Sequence, residues 1–166
     1  MAAPSAMIAL PLEMLDVSFD KKAWHGPNLH GSIRHVDADF AALRPAPGRK
    51  CVAEHLLHCA AWKYATTRRL RGAKRGSFAL LGSNWFDVAA PLPKADRRGH
   101  LALLDTEHKA PRAAVARVDP DDLDREAAGS KYTVSKTIHG IAPHDIYREG
   151  RIQLLKRLLH QPEERI

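Results

Sequence analysis

The chain has 166 residues, of which 45% are hydrophobic and 27% charged, and a formal net charge of +7. This composition is typical of a globular protein and argues against disorder, and the length suits one domain with a buried core. No apolar run approaches the roughly 18 residues of a membrane-spanning helix, and the N-terminus lacks the basic start of a secretory signal. We therefore expect a single domain over residues 1–166, located in the cytoplasm.

The hydrophobic periodicity predicts four long helices and no strands. Their expected spans are 8–23, 51–70, 96–118 and 130–160. A short helix is also expected after His35, with Asp37 as its N-cap. The non-periodic stretch 76–93 is a long connection that suits a crossover from helix two to helix three. The predicted fold class is therefore all-α, a four-helix bundle with a long crossover between helices two and three.

Several local features qualify this picture. Pro111 is expected to kink or split helix three, and Pro143 to bend helix four. Cys51 and Cys59 fall in one predicted helix about 12 Å apart, too far for a disulfide, and are expected to be buried free thiols.

The densest basic run, 68–75, lies at the end of helix two, where the helix dipole favours cations. No aromatic residues interleave with it as they do in binders of single-stranded nucleic acid. We expect a solvated face there and no nucleic-acid partner, and binding of nucleic acid or another protein by these surface arginines is the alternative.

Predicted helix four carries a buried apolar stripe interrupted by polar groups. Its apolar members are Val134, Ile138, Ile141, Ile152, Leu155 and Leu159. The same spacing places Asp145 and Arg148 on the stripe, with His144 beside them and one helical turn from residue 148. Burying such groups is costly unless they are paired or bind a ligand, so the pattern predicts a pocket. Two alternatives are a rotated stripe that leaves these groups at the rim of the bundle, and a purely structural cluster.

Predicted helix two offers two histidines, His55 and His58, that share a face with Trp62. A histidine on a helix is more often an ordinary side chain than a metal ligand. Spacing alone therefore assigns no metal to either of them.

Four segments in chain order carry a family resemblance. They are 24–32, 58–70, 82–86 and 140–155. On these motifs the chain resembles the DinB-like superfamily of bacterial proteins over nearly its whole length. The resemblance implies a four-helix bundle, often dimeric, that binds a divalent metal such as zinc or nickel through one histidine of helix two and two histidines of helix four. It also implies a metal-dependent hydrolase or a thiol S-transferase of unknown small-molecule substrate.

Carried over residue by residue, the resemblance makes His58 and His144 metal ligands and places the third ligand at Arg148. A guanidinium has no lone pair and stays protonated, so Arg148 cannot bind a cation. Two histidines make a poor zinc or nickel site, because catalytic zinc normally has three protein ligands. We therefore expect no stoichiometric metal, and we hypothesise that Arg148 puts its charge where the metal would sit and that the pocket binds an anion.

Three functions stay open at this point. In an enzyme, His58 and His144 would hold the ion and Asp145 would orient a ligand or act as the catalytic base. In a metal-free pocket, Arg148 would bind a small acidic ligand, with Trp62 and Tyr147 as further ligand-binding residues. The third possibility is a basic interaction module. An aromatic loop around Trp85, expected to be exposed, favours a homodimer.

Overall fold

The computed structural model describes residues 5–159 of the chain. Its elements are α1 (Ala6–Phe19), α2 (Leu29–Ser32), α3 (Ala38–Ala42), α4 (Val52–Leu70), α5 (Lys94–Val115), a 3-10 turn (Pro120–Asp122) and α6 (Val134–Leu159). Within this range the only β pairing consists of two isolated bridges, and no strand is present. The prediction of an all-α fold is confirmed. No helix of the described part has both the length and the apolar character needed to cross a membrane.

Helix α4 is central to the packing, because α5 and α6 both lie against it. Its N-terminus is closed by Glu54, whose carboxylate is fully buried. This carboxylate accepts hydrogen bonds from the Cys51 N–H at 2.9 Å, from Arg44 at 2.6 Å and from Lys50 at 2.9 Å. The first N–H groups of a helix lack intrahelical partners, so this buried acid both caps α4 and fixes the preceding loop.

Helix α6 joins two apolar cores. Ile138 and Ile141 in its first half pack with Leu12 and Leu15 of α1. Ile152 and Leu155 in its second half belong to a larger core with residues of α4 and α5. The predicted apolar stripe is therefore buried, and the polar groups that interrupt it lie where the two cores meet.

The long connection between α4 and α5 folds back over α4. Phe86 of this crossover is buried against Leu57 and Ala61. The crossover thereby covers the face of α4 that carries the two predicted histidines. The cap predicted at Asp37 is also present, since its carboxylate accepts from the Phe40 N–H at 2.8 Å.

Two helix boundaries differ from the expectation. Helix α1 ends at Phe19 rather than near residue 23, and α6 begins at Val134 rather than at Ser130. Helix α5 runs through Pro111 without being split, and α6 continues through Pro143. A kink at Pro111 and a bend at Pro143 stay predictions. The predicted end of helix four, at residue 160, lies outside the described residues.

The two cysteines behave as predicted. Cys51 precedes the first residue of α4 and Cys59 lies on its third turn, and both are free and buried. The expectation of buried thiols is confirmed.

Candidate functional site

The histidines of α4 and α6 meet inside the bundle. His58 Nε2 lies 3.0 Å from His144 Nε2. His58 Nδ1 lies 2.7 Å from the carbonyl oxygen of Asn84 in the crossover. A carbonyl oxygen only accepts, so the hydrogen-bond network assigns the His58 proton to Nδ1 and leaves a lone pair on Nε2. The Trp85 ring stacks on His58 with a centroid separation of 4.2 Å, which fixes the imidazole from the crossover side.

Arg148 completes this group from one turn further along α6. Its Nε donates to His144 Nε2 at 3.3 Å, which assigns the His144 proton to Nδ1. Two lone pairs then face each other across 3.0 Å, an arrangement that is repulsive unless a positive charge lies beside them. The guanidinium supplies that charge. It is itself packed 5.2 Å from the Trp85 ring and 4.9 Å from the Tyr147 ring.

Burial keeps the histidines of this group neutral. Burial, followed by the charges of His58 and Arg148, lowers the pKa of His144 to about 3. Burial also lowers the pKa of His58, although its hydrogen bond to Asn84 opposes the shift. The neighbouring His55 behaves in the same way, since burial and then Arg148 lower its pKa to about 4. At neutral pH the cationic partner in this group is therefore arginine and not histidine.

Asp145 points into the core, away from this group. It forms an ion pair with Lys63 of α4, and both side chains are fully buried. Lys63 Nζ also donates to His108 Nδ1 of α5 at 3.2 Å, and the His108 ring stacks on Phe19 of α1 at 3.6 Å. Because an ammonium only donates, His108 must be neutral, and burial followed by the Lys63 charge lowers its pKa to about 3. This series of buried contacts thus connects α6, α4, α5 and α1.

Three possible metal ligands also lie close together. The ligand atoms of Cys59, His144 and Asp145 are within 4.8 Å of one another, a grouping that could hold a metal ion. However, the Asp145 carboxylate is bound by Lys63. Burial also raises the pKa of the Cys59 thiol, so the thiolate that zinc requires is disfavoured. In the observed arrangement neither Asp145 nor Cys59 is available to bind a metal ion.

The facing imidazoles of His58 and His144 are better candidates for metal ligands than Cys59 and Asp145. Two nitrogens bound tetrahedrally to one zinc ion at about 2.0–2.1 Å lie about 3.3 Å apart, close to the 3.0 Å between His58 Nε2 and His144 Nε2. Arg148, however, holds its charge 3.3 Å from His144 Nε2. A divalent ion between the rings would lie about 4 Å from the guanidinium, where the raw repulsion is on the order of 8 kcal/mol for an effective dielectric constant near 20. As arranged, these residues do not fit a divalent metal.

A cavity of about 460 Å³ opens on the outer side of Arg148. We call it the Arg148 cavity. Its walls include four cations, three rings and three leucines: Arg49, Lys50, Arg148, Arg151, His55, Trp85, Tyr147, Leu154, Leu155 and Leu158. None of its described lining residues is acidic. His55 is only 7% exposed, and its Nδ1 has no hydrogen-bond partner in the described part of the chain.

This group and this cavity lie in a stretch that matches a known family. A family model described as DinB superfamily matches residues 24–150, which include both imidazoles and Arg148. The chain belongs to the DinB superfamily. The resemblance inferred from the sequence motifs is confirmed. Among curated proteins and solved structures, no significant match to this DinB protein was found.

The structure divides the predicted site residues into three places. His58, His144 and Arg148 form the central group, and Tyr147 joins Arg148 at the wall of its cavity. Trp62 donates from Nε1 to Asn84 Oδ1 at 3.1 Å and lines a different cavity. Asp145 lies in the buried ion pair. The metal, ligand and catalytic roles assigned to these residues stay predictions.

Three residues of the site, and the contacts of Trp85, were not predicted from the sequence. Lys63, His108 and Asn84 were not singled out, although a lysine within the apolar run of helix two was a detectable signal. The loop around Trp85 is exposed at residues 81–84 and at Asp87, as expected. Trp85 itself, however, is half-buried against His58 and Arg148. No sequence pattern marked His108.

Proposed function

We propose that this DinB-superfamily protein binds a small acidic ligand without a metal ion, and that Arg148 is the principal binding residue. The observation that carries the proposal is the hydrogen bond from Arg148 Nε to His144 Nε2. This hydrogen bond occupies His144 Nε2, the nitrogen that would bind a metal ion, and it holds the guanidinium at the wall of the Arg148 cavity. Within the described residues, the two terminal nitrogens of Arg148 make no hydrogen bond, so both can donate to a carboxylate.

The charge of the Arg148 cavity supports an acidic ligand. Lys50 is paired with the buried carboxylate of Glu54 at 2.9 Å, but that carboxylate lies behind the cavity wall and also binds Arg44. Arg151 donates to the Tyr147 hydroxyl at 2.6 Å, which is a neutral partner. The cavity therefore keeps a positive potential that would attract an anion and raise its local concentration.

The rings and leucines indicate how the ligand would be oriented. Trp85 and Tyr147 flank the Arg148 guanidinium, which limits its motion and preorganises its donors. Leu154 and Leu158 are half or more exposed at the other side of the cavity. A carboxylate at the arginines would thus leave the apolar part of the ligand against these leucines.

A metal-dependent hydrolase or thiol S-transferase is the second candidate. The 3.0 Å separation of His58 Nε2 and His144 Nε2 favours it, but it requires Arg148 to leave its place beside His144. Asp145, the predicted catalytic base, would also have to leave its ion pair with Lys63, because a base must reach the proton that it removes.

Isothermal titration calorimetry with glutarate, and with glutaramide as its uncharged analogue, tests the proposal. We expect glutarate to bind and glutaramide to bind at least about tenfold more weakly, since charge-assisted hydrogen bonds contribute about 1.5–3 kcal/mol. Arg148→Gln and Arg151→Gln should each weaken glutarate binding by a similar factor. Arg34→Gln, a change at an exposed arginine outside the cavity, should leave it unaltered. Equal binding of glutarate by wild type and Arg148→Gln would refute the proposal.

A further inference from the structure

A second cavity, of about 330 Å³, opens between α4 and α6, with His144 in its wall. We call it the Trp62 cavity. Its lining includes Trp62, Arg69, Tyr132, Lys136, Thr137 and His144. None of its lining residues belongs to the Arg148 cavity. The two cavities are therefore separate sites.

Three residues that line the Trp62 cavity each carry a buried polar atom with no hydrogen-bond partner among residues 5–159. These atoms are Arg69 Nε, Thr137 Oγ1 and His144 Nδ1. Thr137 is 8% exposed, so bulk solvent does not compensate its hydroxyl. Buried polar atoms in native proteins nearly always have a partner, and three unpartnered ones around one cavity indicate a ligand that supplies it.

The chemistry of these atoms defines the ligand group. Arg69 Nε is a donor only, and His144 Nδ1 carries the proton because Arg148 donates to Nε2 of the same ring. The Thr137 hydroxyl can donate as well. Lys136 adds a second cation to the wall, and none of the described lining residues is acidic. Several convergent donors and two cations fit a carboxylate.

The rings of the cavity define the rest of the ligand. Trp62 and Tyr132 are 37% and 44% exposed, so their rings are accessible to a ligand. The Arg69 guanidinium lies 5.9 Å from the Trp62 ring, and Lys136 Nζ lies 4.8 Å from the Tyr132 ring. A flat aromatic body would contact both rings while its acid group faces the cations.

We propose that the Trp62 cavity binds an aromatic carboxylate, with the carboxylate on Arg69, Thr137 and His144 and the ring system against Trp62 and Tyr132. The site is distinct from the acidic-ligand site of the Arg148 cavity. Its ligand differs in requiring a planar aromatic body.

Calorimetric titration of the full chain with 2-naphthoate tests this inference. The comparison ligands are 2-naphthamide, which lacks the charge, and cyclohexanecarboxylate, which lacks the aromatic ring. We expect both to bind at least about tenfold more weakly than 2-naphthoate. Arg69→Gln should weaken 2-naphthoate binding by about tenfold, and Thr137→Val, which replaces only the hydroxyl by a methyl group, by about three- to tenfold.

Two control variants separate this site from its surroundings. Arg68→Gln removes a neighbouring surface charge and should change 2-naphthoate binding by less than about twofold. Arg151→Gln alters only the Arg148 cavity and should have equally little effect, whereas it weakens glutarate binding if the proposed function holds. The absence of 2-naphthoate binding to wild type would overturn the inference. Binding that Arg151→Gln weakens and Arg69→Gln leaves intact would also overturn it, because the ligand would then occupy the Arg148 cavity.

Discussion

Replacing Lys63 by methionine should destabilise the protein more than any surface change. Lys63 and Asp145 are both 0% exposed and form one ion pair between α4 and α6. Asp145 Oδ1 already lacks a partner among the described residues. Without the ammonium, the carboxylate would keep no hydrogen bond at all in a site that water does not reach.

The expected loss in the free energy of unfolding is about 3–5 kcal/mol, which is typical when one partner of a buried pair is removed. The ammonium also supplies a hydrogen bond to His108 at 3.2 Å, so the variant removes that contact too. Replacing both charges, in Lys63→Met/Asp145→Leu, should recover most of this loss, because no unpaired buried charge would then remain.

Urea unfolding followed by circular dichroism measures these free energies, with Lys131→Met at an exposed position as the matched control. A loss below about 1 kcal/mol in Lys63→Met would refute the buried ion pair. A double variant as unstable as the sum of its two single variants would do the same, since independent sites are additive. Either result would return Asp145 to consideration as a catalytic group.

Two further predictions concern stability. The pKa of His108 is lowered to about 3 in the folded chain against 6.5 in the unfolded chain. The contribution of this group to stability should therefore fall as the pH drops from about 6.5 towards 3, by about 1.6 kcal/mol between pH 6.5 and 5. In His108→Gln this part of the pH dependence should vanish when the free energy of unfolding is measured by urea titration at several pH values. An unchanged slope of that free energy against pH would show that His108 is not its source. Gly129→Ala should lower the melting temperature, because its φ is +62° and a Cβ atom would lie 2.6 Å from the Lys74 carbonyl oxygen, at a cost of about 1–3 kcal/mol. Gly99→Ala, in helix α5 with open space around it, should instead raise the free energy of unfolding by about 0.5–1 kcal/mol. Equal effects of the two changes would contradict the strained backbone and the close carbonyl oxygen at Gly129.

The helices could be predicted from the sequence where periodicity and caps were strong. The stripe of α6 placed Asp145 inside the bundle, and Asp37 marked the start of α3. The start of α6 was predicted too early because the chain forms a turn before the helix, in which the Ala127 N–H donates to the Tyr132 carbonyl oxygen. Tertiary contacts decide such boundaries, and local signals do not specify them.

The site was predictable only in part, for a similar reason. Family motifs in the sequence were enough to place His58, His144 and Arg148 at one site. The partner of Asp145 lies 82 positions away on α4, a separation over which no local pattern reports pairing. The contacts of Trp85 depend on how the crossover folds, and that stretch has no periodicity to analyse.

The central claim is that the Arg148 guanidinium, which lies beside the facing histidines, supplies the positive charge of this site in place of a metal ion. Zinc titration in competition with a chromophoric chelator, on the tag-free protein, tests it most directly. We predict that wild type shows no site tighter than about 10 μM, and that Arg148→His gains one zinc per chain, because it restores a third ligand and removes the opposing charge. One zinc per wild-type chain, bound as tightly as by Arg148→His, would contradict the account.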